Sequence, residues 1–107
     1  MQPQSVARTT ISELVLNSLR EVINQSERPM PAELDATTSL LGKQAVLDSL
    51  ALVTLIVELE QRLEEEFDLL LTLADDRAMS QKHSPFRTVG SLTDYIELLI
   101  NEELERG

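Results

Sequence analysis

The most strongly patterned stretch of the chain is residues 48–67, which read DSLALVTLIVELEQRLEEEF. Apolar residues recur there at steps of three and four, a spacing that places them on one face of an α-helix. We expect that face to be buried, and it comprises Leu52 with Val53, Ile56, Leu59, Leu63 and Phe67. A neighbouring face carries Leu50, Thr54 and Val57. The pattern predicts a helix over 49–67, with its glutamates facing water.

A further helix is predicted on each side of this segment. The first covers about 11–24, because apolar residues recur at helical spacing from Ile11 to Ile23. Its start, Thr10-Ile11-Ser12-Glu13, has the form of a capping box. We expect residues 1–9 to form a loose leader. The last helix is predicted to begin at an N-cap on Thr88 or Ser91 and to run to about 104.

The connections complete the predicted architecture. Residues 25–47 form a long connection held on the core by its apolar residues, with a turn at Gly42. Residues 68–73 are a buried connector or a short strand, and residues 74–79 are predicted as a short third helix. The fold class is therefore all-α, a small four-helix bundle of three main helices and a short one. The whole chain, 1–107, is one domain.

The chain is acidic and contains no cysteine. Nine Lys and Arg residues face 19 Asp and Glu residues, which gives a formal net charge of −10. This balance argues against nucleic acid or an anionic membrane as a partner and favours a basic protein surface. Because no apolar run approaches the length of a membrane span, we expect a soluble, cytoplasmic protein. We also expect a monomer. With no thiol of its own, the chain has no cysteine nucleophile or metal ligand.

The candidate site is Ser49, where the long connection meets the central helix. Unpaired backbone N–H groups and the positive end of the helix dipole lie at such a position. A phosphate ester on the Ser49 hydroxyl is favoured there for the same reason that free anions settle at helix N-termini. The simpler interpretation is that Asp48 and Ser49 only start the helix, since Asp and Ser are common N-cap residues.

Several stretches together resemble the acyl carrier protein family. They are Leu40-Leu41-Gly42, Val46-Leu47-Asp48-Ser49-Leu50, Glu58-Leu59-Glu60, Phe86-Arg87-Thr88-Val89 and Leu92-Thr93-Asp94-Tyr95-Ile96. The resemblance covers roughly residues 10–104 and is more specific than the tripeptide Asp-Ser-Leu alone.

The resemblance implies a covalent prosthetic group on Ser49. In this family the serine of Asp-Ser-Leu carries a 4′-phosphopantetheine arm, installed from coenzyme A by a separate Mg-dependent phosphopantetheinyl transferase. The thiol of the arm holds an acyl or aminoacyl group as a thioester during fatty acid, polyketide or other specialised biosynthesis. Asp48 matches the acid beside the attachment serine. The chain would then be a carrier and not an enzyme, with its sulfur supplied by the arm.

The resemblance also implies a partner-binding face. Leu50 and Val57 match exposed apolar positions of the family, and Glu60 matches an acidic one, which suits ligases, synthases or transferases with basic docking surfaces. Ala51 and Thr54 stand where fatty-acid carriers usually place acids. Gly42 lies seven positions before Ser49 and not directly before Asp-Ser-Leu. These departures point to a specialised member and not to the general fatty-acid carrier.

The remaining candidate residues carry weaker signals. His83 is the sole histidine and has no nucleophile motif beside it, so we expect an exposed loop residue. Lys82 and Arg87 beside it are expected to balance charge. Asp75-Asp76 lacks the further spaced oxygens of a Ca²⁺ loop, and no metal site is predicted. The alternative function is a small acidic helical adaptor that binds a basic protein without a prosthetic group.

Overall fold

The computed structural model is all-helical in the part of the chain that it describes, which is residues 7–26, 30–31, 33–40, 45–73 and 85–106, without the side chains of Ser49 and Arg106. It has three α-helices: α1 (Arg8–Gln25), α2 (Ser49–Phe67) and α3 (Val89–Arg106). These ranges contain no strand, only one isolated antiparallel bridge between Ser39 and Thr88. The predicted short helix over 74–79, the turn at Gly42 and leader residues 1–6 lie outside the described residues.

The bounds of α2 match the prediction from the sequence, whereas α1 begins earlier than predicted. Ala7 is the N-cap of α1 and provides no side-chain hydrogen bond, so the predicted capping box that starts at Thr10 is wrong. Arg8 and the following residue are helical and do not belong to a leader. The Arg8 guanidinium pairs with Asp94 and Glu97 of α3. The additional helical turn thus brings Arg8 against α3, a tertiary contact that local sequence does not signal.

The sequence predicts either Thr88 or Ser91 as the N-cap of α3. The hydrogen bonds at the start of the helix identify Thr88. The Ser91 N–H donates to Thr88 Oγ1 and the Thr88 N–H donates to Ser91 Oγ, both at 3.0 Å. This exchange is a capping box in which serine takes the place usually held by Glu or Gln. The Ser91 hydroxyl also donates to the Pro85 carbonyl at 2.9 Å. The cap is therefore tied to the residues that precede the helix.

Helix α1 packs against both α2 and α3, and the core lies along these two contacts. The core is almost wholly aliphatic, and its two buried rings, Phe86 and Tyr95, meet edge to face with their centroids 6.3 Å apart. The fully buried side chains include Ile11, Val15, Leu19, Ile23, Leu55, Leu59, Leu63, Leu92, Ile96 and Ile100. Burial of each such side chain stabilises the fold by about 1.5–3 kcal/mol before conformational entropy is counted.

The connection between α1 and α2 is attached to the start of α3. The Val89 N–H donates to the Thr38 carbonyl at 3.1 Å, and the Gly90 N–H donates to the Ala36 carbonyl at 2.8 Å. These bonds satisfy two of the backbone donors that a helix start leaves unpaired. A Cβ on Gly90 would lie 3.0 Å from the Ala36 oxygen, a tight contact that glycine avoids. Residues 33–40 of the predicted connection are thus held on the core.

A turn at Asp35 shapes this attached segment. Asp35 Oδ1 accepts from the Thr37 hydroxyl at 2.6 Å and from the Thr37 N–H at 2.9 Å. The Asp35 N–H in turn donates to Thr38 Oγ1 at 2.9 Å. The two bonds from Thr37 lower the pKa of the Asp35 carboxyl below its ordinary value. The same bonds that lower this pKa hold the turn together.

After α2 the chain turns back along the helix. Asp68 ends the helix in the left-handed conformation, with φ at 55°, and its N–H donates to the Glu64 carbonyl at 2.9 Å. Residues 69–73 follow without forming a strand, and Leu73 is fully buried. The prediction of a buried connector is therefore confirmed for Leu73, while Leu70 is 77% exposed.

We predict that Ser18→Ala stabilises the protein. Ser18 is fully buried in α1, and its hydroxyl has no hydrogen-bond partner within the described ranges. A buried hydroxyl left unpaired costs about 1–3 kcal/mol, so its removal should raise the free energy of unfolding by about 1 kcal/mol or more. Chemical denaturation measures this change.

The matched control is Ser12→Ala, a half-buried serine on the same helix. It has the same gain in helix propensity but removes no unpaired buried hydroxyl. Equal stabilisation by the two substitutions would contradict the prediction.

Candidate functional site

Ser49 is the first residue of α2, and Asp48 is its N-cap. Asp48 has an extended backbone, and its Oδ1 accepts from the Ala51 N–H at 2.8 Å. The Leu52 N–H donates to the Asp48 carbonyl at 2.9 Å and closes the first turn. The predicted position of Ser49, where a connection meets a helix start, is thus confirmed for the backbone. The direction of the Ser49 hydroxyl lies outside the described part of the structure.

The outer face of α2 carries exposed apolar side chains. Leu50 is 77% exposed and Val57 is 46% exposed, as predicted from the sequence. Val53 is 56% exposed and lies between them on the same face, so its assignment to the buried stripe is wrong. Leu55 instead points into the core. Because Leu52, Leu55 and Leu59 follow one another at steps of three and four, they define the buried side and turn Val53 outward.

Glu60 has a partner within the chain itself. Its Oε2 accepts a hydrogen bond from the backbone N–H of Leu73 at 2.7 Å. The side chain is half-buried, and the bond holds the returning segment 69–73 against α2. No local pattern predicts this contact, because the two residues lie 13 positions apart. Glu60 therefore fixes the position of the returning segment beside the exposed face of α2.

The positive charge on α2 is directed away from this exposed face. Arg62 donates from Nε to Glu58 Oε1 at 2.9 Å and pairs with Glu21 of α1. The hydrogen bond to Glu58, aided by the charge of Glu21, raises the pKa of the Arg62 guanidinium above its ordinary value. Arg62 thus links α1 to α2, and its charge is neutralised there.

A groove lies directly beside the start of α2. It has a volume of about 350 Å³ and is open to solvent. The end of α1 contributes one wall and the first two turns of α2 contribute the other, with the lining residues Val22, Gln25, Ser26, Asp48, Leu50, Ala51 and Thr54. Two of these residues, Asp48 and Leu50, flank Ser49. We call this space the α1–α2 groove.

A second groove runs between the later turns of α2 and the returning segment. Its volume is about 360 Å³, and its lining residues are Val57, Glu60, Gln61, Glu64, Leu70, Leu71 and Thr72. Exposed apolar side chains and two carboxylates border the same space. We call it the distal groove. The sequence pattern did not identify Leu70 as a residue of this groove, because the turn at Asp68 is what brings it beside α2.

The other candidate residues add no further site. Lys82, His83 and Asp75-Asp76 lie outside the described residues, while Arg87 is described and exposed. Among the residues that the structure describes, no group of three or more His, Asp and Glu side chains is arranged to hold a metal ion. None of the described helices combines the length and the apolar character needed to cross a membrane.

Comparison of the chain with protein-family models, with curated proteins and with solved structures found no match.

We predict that the Asp48 side chain stabilises the start of α2. Asp48→Ala removes the acceptor for the Ala51 N–H and should lower the free energy of unfolding by about 1 kcal/mol. Asp48→Asn keeps an efficient N-cap while it removes the same charge, so its cost should be a few tenths of a kcal/mol. Urea denaturation of both variants measures the difference. An equal loss in the two variants would show that charge, and not capping, is the source of the effect.

Proposed function

We propose that this chain is a phosphopantetheine-dependent carrier protein with Ser49 as its attachment residue. Ser49 opens α2 beside an N-capping aspartate, with exposed apolar side chains following on the outer face of the same helix. This arrangement, joined to the resemblance of Asp48-Ser49-Leu50 and its flanks to acyl carrier proteins, is the observation that carries the proposal. A four-helix bundle with a long loop between its first two helices, the finer architecture of such a carrier, belongs to the same proposal.

The residues at the start of α2 fit a covalently attached phosphate group. The positive end of the helix dipole favours an anion at this position. Asp48 keeps the first turn formed through its bond to the Ala51 N–H. The α1–α2 groove beside Ser49 is open, so an arm attached there has space on the surface. The absence of cysteine agrees with a function in which the reactive sulfur is supplied by the prosthetic group.

In the proposed modification the Ser49 hydroxyl gives up its proton to a separate transferase. The Ser49 oxygen then forms a phosphoester bond to the phosphorus of the phosphopantetheine unit. The phosphoanhydride bond of coenzyme A breaks, and adenosine 3′,5′-bisphosphate leaves. The terminal thiol of the arm supplies thioester chemistry for an acyl or aminoacyl cargo in fatty acid, polyketide or other specialised biosynthesis. The chain itself holds the arm at a helix start and presents it to other enzymes.

The outer face of α2 is proposed as the docking surface for those enzymes. Leu50, Val53 and Val57 form an apolar strip, and Glu60 and Glu64 lie at its later end. Apolar anchors bordered by acids suit a partner with apolar contacts surrounded by basic side chains. The formal net charge of −10 favours the same class of partner and accelerates its encounter.

The attachment is tested by intact mass spectrometry. The purified protein is incubated with coenzyme A, Mg²⁺ and a phosphopantetheinyl transferase of broad specificity. We expect the mass of one phosphopantetheine to be added to the wild type and to Ser12→Ala, and not to Ser49→Ala. Circular dichroism of Ser49→Ala should show a folded helical protein. If several transferases add nothing to the wild type, the carrier proposal fails and an acidic adaptor becomes the better interpretation.

The docking surface is tested with Leu50→Ser and with Leu98→Ser as its matched control. Both leucines are exposed, but Leu98 lies on α3, away from the outer face of α2. Truncation of an apolar anchor in an interface costs more than about 1 kcal/mol. We therefore expect kcat/KM of the transferase to fall about fivefold to tenfold for Leu50→Ser and to stay unchanged for Leu98→Ser. Equal rates for the two variants would exclude Leu50 from the interface.

A further inference from the structure

The α1–α2 groove has a lining that suits a short chain of mixed polarity. Its floor is apolar, since Val22 and Ala51 are buried and Leu50 forms one edge. Gln25, Ser26 and Thr54 add an amide and two hydroxyls around this floor. A volume of about 350 Å³ lies within the range of ligand sites in proteins, roughly 300–1,000 Å³. Among the residues that the structure describes, the lining contains one carboxylate, Asp48, and no basic side chain.

The two hydroxyls are directed to act as hydrogen-bond acceptors. The Ser26 hydroxyl donates its proton to the Ile23 carbonyl at 2.8 Å, and the Thr54 hydroxyl donates to the Leu50 carbonyl at 3.0 Å. With each proton engaged by the backbone, the hydroxyl oxygens present lone pairs to the groove. Gln25 contributes two amide donors and one acceptor. A ligand that fits this pattern carries N–H donors and at least one carbonyl along an apolar backbone.

The phosphopantetheine arm has this chemistry. It contains two amides, one hydroxyl and a pair of geminal methyl groups. If Ser49 is the attachment residue, as proposed above, the arm begins between Asp48 and Leu50, two of the residues that line the groove. A short flexible tether gives the arm an effective concentration in the millimolar range. A groove with only weak intrinsic affinity is then sufficient to hold it.

The distal groove is a poorer site for the arm. Val57 lies eight residues after Ser49, which is about 12 Å along the helix axis. Two carboxylates, Glu60 and Glu64, border that space, and the arm offers no cation to pair with them. One of them already accepts the Leu73 N–H. The α1–α2 groove is therefore the nearer and chemically better matched of the two.

We propose that the α1–α2 groove is the resting site of the pantetheine arm, with its geminal methyls against Val22 and Ala51 and its amides at Gln25, Ser26 and Thr54. The inference rests on the proposed attachment to Ser49. It assigns the end of α1 a function in binding the arm, which the family resemblance did not imply. While the arm rests in this open groove, one side of it lies against its own carrier.

Nuclear magnetic resonance of the loaded protein tests the resting site. The protein is first converted with coenzyme A and transferase, and complete loading is verified by mass. We expect nuclear Overhauser contacts between the geminal methyls of the arm and the methyls of Val22 and Ala51. Loading should also shift the amide signals of Val22, Gln25 and Ser26, which lie more than twenty residues before Ser49 in the chain.

Gln25→Trp, with Asn24→Trp as matched control, supplies the second arm of the test. Both positions are exposed on the last turn of α1, but only Gln25 lines the groove. A tryptophan at position 25 should fill the groove and abolish the contacts to Val22, while a tryptophan at position 24 should leave them intact. Circular dichroism verifies that both variants are folded.

The possible failures are distinguishable from one another. A protein that cannot be loaded overturns the proposed function and this inference together. A protein that loads fully but shows contacts and shifts confined to residues 48–54 overturns the resting site and leaves the carrier function standing. Contacts that survive in Gln25→Trp to the same extent as in Asn24→Trp also overturn it.

Discussion

Burial of the apolar face of α1 between α2 and α3 is the interaction on which the rest of the structure depends. A helix of 18 residues is at best marginally stable in water, and packing supplies most of its stability. Val15, Leu19 and Ile23 are buried where α1 meets its neighbours, and with no disulfide available this aliphatic contact must hold the helices together. Ion pairs from Arg8 to α3 and from Arg62 to α1 lie at the edges and set orientation more than stability.

The same packing creates the candidate site. Because α1 lies against α2, its last turn comes to rest beside the first turns of α2, and the α1–α2 groove is the space left between them. Asp48 defines the start of α2 locally, through one hydrogen bond to its own helix. The site thus combines a local helix start with a tertiary groove. A serine at such a junction is bordered by a helix dipole and by an open, partly apolar surface, and both features support the proposed attachment of a prosthetic group.

Backbone contacts far apart in the chain organise the remainder of the molecule. The segment around Asp35 satisfies donors at the start of α3, while the segment after Asp68 is held against α2 by Glu60. Each segment also determines a feature of the protein surface. The first attaches the connection that leads into Ser49, and the second brings Leu70 beside Val57 to form the distal groove. The apolar strip of α2 and the carboxylates of Glu60 and Glu64 therefore lie on one face of the molecule. The returning segment 69–73 borders that face.

The exposure of Leu50 and Val57 was expected from the family resemblance, whereas local pattern was sufficient to predict the all-helical class, the bounds of α2 and the capping position of Asp48. These features depend on residues within one or two turns, where helical periodicity and capping chemistry act. Tertiary structure decided the start of α1, the outward direction of Val53, the bond from Leu73 to Glu60 and both grooves. Each of these depends on groups brought together from distant parts of the chain, or on small differences in helix phase that only the packed core resolves.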